Sequence, residues 1–105
     1  MSVLVLSEHE VRELLPMDEC IEAMDAVLRS LAHGELHQPL RFVTRPPEAE
    51  SLMGFMPAHR GGESSVWSLK EIVIVPGNPA RGLDAHQGAV LLHDGETGEL
   101  RALLN

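Results

Sequence analysis

Residues 89–104 have the sequence AVLLHDGETGELRALL, which predicts a β-hairpin and sets the class of the fold. Two apolar runs, 89–93 and 100–104, flank the loop 94–98, whose length and glycines favour a tight reversal of the chain. Upstream, three further runs that end at prolines or a Pro-Gly pair predict strands over 40–44, 52–56 and 66–75. The larger, carboxyl-terminal part of the chain therefore predicts an antiparallel sheet.

The amino-terminal part changes to helical periodicity after a short strand predicted over 3–6. Ser7 and Glu10 have the spacing of a capping box, which predicts a helix over 8–15 that ends before Pro16. A longer helix is predicted over 17–33, where apolar residues recur at intervals of three and four before Gly34. The expected fold is α+β, with two amino-terminal helices packed on a mainly antiparallel sheet of about five to six strands.

Composition restricts both the architecture and the partners. The 105 residues fit one domain, 1–105, and with 44% apolar but only 3% aromatic residues its core must be aliphatic. A net charge of −8 and a single lysine, Lys70, argue against nucleic-acid binding. Apolar runs are too short to span a bilayer, and a single cysteine, Cys20, suits the reducing cytoplasm, where we expect the protein to lie.

Five short motifs follow one another along the chain in a specific order. They are LSE at 6–8, QPLR at 38–41, GFMPA at 54–58, PGNPARGL at 76–83 and QGAVLLHDGETG at 87–98. In this order and at this spacing they resemble the amino-terminal domain of the ornithine cyclodeaminase and mu-crystallin family. The resemblance covers essentially the whole chain.

This resemblance implies a sheet domain that binds substrate and pairs with a second subunit, followed in the family by a Rossmann domain that binds NAD(P). Arg41 falls at the family's arginine for the substrate carboxylate, a task that suits the planar fork of a guanidinium. Lys70 falls at the active-site lysine, which contacts the carboxylate or the reacting amino or imino group, and Met56 falls at a pocket-lining position. The implied activity is NAD(P)-dependent deamination of an amino acid, as in ornithine cyclodeaminase or alanine dehydrogenase.

The sequence departs from the family pattern where the cofactor is concerned. Many members have Ser or Thr two residues before the Gln-Gly pair, whereas this chain has Ala85, so no cofactor-binding residue is assigned. A G-x-G-x-x-G turn is missing from the sequence, and the apolar run 102–104 stops abruptly. We therefore expect a truncated part of a two-domain protein, not competent alone, without the Rossmann domain and without a cofactor of its own.

Several alternatives stay open at the level of sequence. The chain is also compatible with a non-catalytic module for small carboxylates, or with a dimerisation fragment, of the mu-crystallin type. Arg41 and Lys70 are alternatively ordinary solvent-facing strand residues, although the apolar neighbours of Lys70 favour its partial desolvation. No two of the six histidines lie three or four residues apart within a predicted helix, and only one cysteine is available, so no metal site is expected. The expected partners are a small amino-acid or keto-acid substrate and a second copy of the chain, joined as a homodimer through the sheet.

Overall fold

A computed structural model describes residues 2–105, so the predicted domain start at Met1 lies outside the described residues. The predicted order of elements is confirmed, with one short strand and one 3₁₀ turn in addition. The elements are β1 (Leu4–Leu6), α1 (Glu8–Leu14), α2 (Met17–Ala32), β2 (Leu36–His37), β3 (Phe42–Thr44), β4 (Leu52–Arg60), β5 (Val66–Ile74), the 3₁₀ turn Asn78–Arg81, β6 (His86–Asp94) and β7 (Leu100–Leu104).

The predicted capping box at the start of α1 is confirmed. The backbone N–H of Glu10 donates to Ser7 Oγ at 3.2 Å, and the backbone N–H of Ser7 donates to Glu10 Oε1 at 3.1 Å. Two of the amide groups that a helix start leaves unpaired are thereby satisfied. At the other end of the helical region, Gly34 follows α2 with φ of +75°, a left-handed conformation that favours glycine and ends the helix.

The strands form one mixed sheet of seven, in the order β1-β7-β6-β5-β4-β2, with β3 also paired to β4. Only β1, which lies parallel to β7, departs from the antiparallel pattern. The α+β class is confirmed, and the strand count is slightly higher than expected because a two-residue strand, β2, was not predicted. Its residues Leu36 and His37 pair with Arg60 and His59 of β4.

The prediction that Pro57 ends a strand is wrong, since β4 continues through it to Arg60. On one side Pro57 pairs with Leu69 of β5. On the other side, β3 pairs with residues 53–55 and β2 with residues 59–60, so the segment between them has no strand partner. A proline lacks the N–H that a strand would donate, and it is tolerated where that side of the strand is open.

The helices lie against the outer strands of the sheet, α1 against β1 and α2 against β2. The predicted apolar face of α2 is present, yet its side chains remain exposed; for Ile21 and Leu28 the exposed fraction is 62%. Within residues 2–105, Ala102 is the one apolar residue that is buried. Neither helix in this part of the chain is long and apolar enough to cross a membrane.

Candidate functional site

The two faces of the sheet present different side chains. Because side chains alternate along a strand, residues paired across antiparallel neighbours share one face. Met56, Lys70 and Val90 are paired across β4, β5 and β6, and the side that carries them is called the Lys70 face. The opposite side, called the Glu71 face, carries Glu71 and its partner Phe55.

Lys70 lies at the centre of a row of side chains that crosses the sheet. It is flanked by Met56 on β4 and by Val90 on β6, and Val90 is paired in turn with Leu104 on β7. The register thus brings together Lys70 and Met56, two of the three residues predicted for the site. On β4, β6 and β7 the row is apolar, so among these strands and β5 Lys70 supplies its one charge.

Arg41, the third predicted residue, immediately precedes β3. Phe42 of β3 pairs with Phe55, and continuing this register by one residue sets Arg41 opposite Met56. Adjacent strands lie about 4.8 Å apart, so the backbones at Arg41 and Lys70 are separated by roughly 10 Å, with Met56 between them. Both side chains are long enough to meet at one small anion above Met56.

The charges of Arg41 and Lys70 are not compensated by the protein. Both side chains are exposed, and in the described part of the chain neither takes part in a hydrogen bond or an ion pair. Arg12, Arg29 and Arg101 are ion-paired locally; Arg29, for example, donates to Asp25 at 2.9 Å. Arg45, like Arg41, is exposed and has no such partner in the described part of the chain, but Arg41 is the arginine that the register sets in the row of Lys70. In a chain with a net charge of −8, the two uncompensated cations on either side of Met56 form a local site for an anion.

A cavity of about 370 Å³ opens on the Lys70 face beside this row. Its volume lies at the lower end of the range for small-molecule pockets. Arg41 and Met56 are not among its walls, so the cavity extends from Lys70 away from them. Its lining comprises Val11, Lys70, Glu71, Ile72, His86, Gln87, Gly88, Ala89, Val90, Leu104 and Asn105.

A second cavity, of about 600 Å³, lies on the Glu71 face and includes Glu10 and Glu71. Although it is larger, it lies on the side of the sheet opposite to the uncompensated cations. Within residues 2–105, no group of three or more His, Cys, Asp or Glu side chains is arranged to hold a metal ion. The Lys70 face therefore carries the better candidate site for an anionic ligand.

Two glycines keep the surface beside Lys70 low. Gly54 and Gly88 flank Ile72 in the next row of the Lys70 face. A Cβ at Gly88 would collide with the backbone oxygen of Glu71, and one at Gly54 would lie 3.2 Å from Ile72 Cγ1. The backbone at Gly88 thus requires glycine, and in this row the side chains belong to Ile72 and to Val43, which pairs with Gly54.

The carboxyl group of Asp94 lies at the far end of the same face and is fully engaged by its own hairpin. The backbone N–H groups of Thr97 and Glu96 donate to it at 2.9 and 2.8 Å, and Arg101 Nη2 donates at 3.1 Å. These donors lower the pKa of Asp94 to about 2, and the bond from Thr97 has the largest effect. The group serves the turn and is not free to pair with Lys70.

Sequence reasoning missed part of this environment. Val11 and Leu104 line the cavity, and both belong to elements that are distant in sequence from Lys70. Ile72 could have been predicted to lie near Lys70, because residues two apart on a strand share a face. The expected partial desolvation of Lys70 is not observed, since its side chain is exposed.

Comparison with known proteins identifies relatives for this arrangement. Alanine dehydrogenase of Archaeoglobus fulgidus is 32% identical over 98 residues, which cover 93% of this chain and 29% of the relative. Delta(1)-pyrroline-2-carboxylate reductase of Bacillus cereus is 31% identical over 102 residues, which cover 97% of this chain and 31% of the relative. The chain thus spans slightly less than a third of the length of these curated relatives.

Solved structures agree with these relatives. Delta(1)-pyrroline-2-carboxylate reductase of Thermococcus litoralis, in complex with NADH and L-proline, superimposes with a TM-score of 0.88 at 27% identity, over 97% of this chain and 31% of that one. A dimer of archaeal alanine dehydrogenase with bound NAD superimposes with a TM-score of 0.87 at 31% identity, over 99% of this chain and 31% of that one. A lysine cyclodeaminase that recognises L-lysine, L-ornithine and L-2,4-diaminobutyric acid superimposes with a TM-score of 0.79. Its sequence is 30% identical, and the match covers 100% of this chain and 33% of that one.

The profile of one protein family matches the chain from end to end. It covers residues 1–105, including every motif on which the resemblance rests and both cationic residues of the site. The chain therefore belongs to the ornithine cyclodeaminase/mu-crystallin family.

Proposed function

We propose that this chain binds the α-carboxylate of a small amino or imino acid between Arg41 and Lys70, as the substrate-binding part of a nicotinamide-dependent amino-acid enzyme. The observation that carries the proposal is the pair of uncompensated cations on either side of Met56. A carboxylate supplies the countercharge that the protein itself does not supply. The complex of one relative with NADH and L-proline supports a small amino or imino acid as the ligand.

The two cations have different tasks in the proposed site. The guanidinium of Arg41 donates two parallel N–H bonds to a carboxylate, which fixes the plane and the direction of the ligand. Lys70 is a point charge with three donors on a flexible stem, so it reaches either a carboxylate oxygen or the neighbouring amino or imino nitrogen. In the second position its ammonium holds a proton next to the reacting atom, which makes Lys70 the proposed catalytic residue.

The residues present here do not fit a dinucleotide. Such cofactors are bound through their phosphates at a glycine-rich turn that opens a helix. Among the described residues, Gly61 and Gly62 precede a strand, and Gly77 precedes a 3₁₀ turn of only four residues. Ala85 offers no hydroxyl beside the cavity. Accordingly, we assign substrate binding to this chain and no step of hydride transfer.

A second copy of the chain is the proposed protein partner, joined through the sheet. The accessible surface is 7921 Å², whereas a compact protein of 11.5 kDa exposes about 5,800 Å². Part of the excess lies on the Glu71 face, where Phe42 and Trp67 remain 60% and 47% exposed. The dimer of archaeal alanine dehydrogenase supports this proposal. Because Cys20 is a free thiol, we further propose the cytoplasm as the compartment.

The carboxylate site is tested by titrating L-alanine into the 105-residue chain labelled at lysine. Because Lys70 is the only lysine, its side-chain NMR signal reports on the site without ambiguity. We expect saturable shifts of this signal, with affinity about tenfold or more weaker in Arg41→Ala, since hydrogen bonds to charged groups contribute about 1.5–3 kcal/mol. Arg29→Ala, which removes an arginine paired on α2, is the matched control and should bind as the parent does. Unaltered affinity in Arg41→Ala would exclude the proposed anchor.

A further inference from the structure

Resting on the proposed function, we infer that the ligand's own side chain is small and uncharged, and that Ile72 selects for it. Arg41 and Lys70 recognise groups common to all amino acids, so they do not distinguish one from another. Selection must come from the surface next to them. In this chain that surface is the row Gly54, Ile72, Gly88, which we call the Ile72 furrow.

The Ile72 furrow lies within reach of a short side chain. Residues two apart on a strand are separated by about 6.7 Å, so Ile72 is the next side chain along β5 from Lys70 on the same face. The side chain of Ile72 covers both glycines, because its Cγ1 would lie 3.2 Å from a Cβ at Gly54 and its Cγ2 3.1 Å from one at Gly88. The surface beside Lys70 is therefore apolar and already filled, so a ligand rests on Ile72 itself, which suits a methyl group or a pyrrolidine ring.

A ligand with a basic side chain finds no countercharge in this place. Along β4, β5 and β6, Asp94 is the one acidic side chain on the Lys70 face, and it lies four residues from Val90 on β6, roughly 13 Å away. Its carboxylate is already bonded by its own hairpin and by Arg101. Glu71 lines the cavity, but its side chain lies on the opposite face. A second ammonium would also be repelled by Lys70.

A ligand with an acidic side chain is disfavoured for a related reason. One carboxylate occupies both Arg41 and Lys70, and the furrow then offers a second carboxylate only the aliphatic surface of Ile72. Within the described residues, the row beyond the furrow adds His86 and no lysine or arginine.

The experiment compares four ligands on the full 105-residue chain, again through the signal of Lys70. We expect L-alanine and L-proline to bind at least tenfold more tightly than L-ornithine and L-aspartate. The variant Ile72→Glu should raise the affinity for L-ornithine above that for L-alanine. Ile72→Gln, of equal size without the charge, is the matched control and should not do so.

The possible outcomes separate this inference from the function on which it rests. If no ligand shifts the signal of Lys70, the proposed carboxylate site is wrong. If all four bind with similar affinity, or if L-ornithine or L-aspartate binds the parent chain best, the carboxylate site stands and the selection by Ile72 is overturned. The ranking on the parent chain decides this even where Ile72→Glu does not fold.

Discussion

At the scale of single residues, the site depends on a cation pair and on a glycine that brings two strands close together. Gly88 lies where β5 and β6 approach so closely that any side chain meets the backbone oxygen of Glu71. Its partner in register is Ile72 of the furrow, and Lys70 is the next residue of β5 on the same face. A change at Gly88 therefore acts on the fold and on the ligand site together.

Replacement of Gly88 by alanine should destabilise the chain by about 1–3 kcal/mol, the usual cost of forcing extra atoms into a packed position. Urea denaturation followed by circular dichroism measures the change. Gly77→Ala is the control, because Gly77 has φ of −80° and no neighbouring atom within 4 Å of an added Cβ. Equal stability of the two variants would mean that β5 and β6 are not as close as described.

The residues of the site were predictable in identity but not in arrangement. The family motifs point to Arg41, Met56 and Lys70, and all three lie on neighbouring segments of the sheet. Their common row follows from the pairings of Phe42 with Phe55 and of Met56 with Lys70, and strand register is a long-range property. The local sequences QPLR and GFMPA do not determine this register.

At the scale of elements, the β6–β7 hairpin is held by a network that titrates. Because hydrogen bonds from Thr97, Glu96 and Arg101 favour its carboxylate, Asp94 has a pKa of about 2 in the folded hairpin against 3.8 ordinarily. A lowered folded pKa means that the carboxylate stabilises the hairpin above about pH 4. This contribution is lost as the pH falls from about 4 to about 2.

We therefore expect the amide NMR signals of Glu96 and Thr97 to shift in a single titration with a midpoint near pH 2. Asp94→Asn retains an acceptor oxygen but removes the titrating group, so the same amides should show no such step. A midpoint near 3.8 in the parent chain would indicate that the bonds to Thr97 and Glu96 do not form in solution.

The elements themselves were largely predictable, with failures that have physical causes. Helix α2 follows from its apolar spacing, and α1 from the capping box of Ser7 and Glu10. Strand β4 passes through Pro57 because its unpaired side is open there, and only the positions of β2 and β3 reveal that opening. A two-residue strand such as β2 is too short to carry a periodic pattern.

At the scale of the whole molecule, the chain leaves more apolar surface exposed than a self-sufficient domain does. Its radius of gyration is 15.7 Å, against about 13 Å for a compact domain of about 100 residues. Exposed apolar residues are found both on the Glu71 face and along α2. Clusters of exposed apolar residues are typical of surfaces that bind other proteins.

The two exposed regions make different predictions about self-association. If the sheet forms the dimer, Phe42→Ser on the Glu71 face should raise the dimer dissociation constant at least tenfold, since burial of one such side chain contributes about 1.5–3 kcal/mol. Met17→Ser, at a residue of α2 that is 72% exposed, should leave it unchanged. Analytical ultracentrifugation measures both, and the emission of Trp67 reports on the same face. If Met17→Ser weakened the dimer and Phe42→Ser did not, the interface would lie on α2 and not on the sheet.

The central claim is that Arg41 and Lys70 hold one and the same carboxylate. A double-mutant cycle tests it most directly: the dissociation constant for L-alanine is measured for the parent, Arg41→Ala, Lys70→Ala and the double variant by calorimetry. Each single variant should bind about tenfold or more weakly, and the double variant should lose less than the sum, with a coupling energy of at least about 0.5 kcal/mol. Strictly additive losses, or a parent that does not bind L-alanine, would contradict the claim.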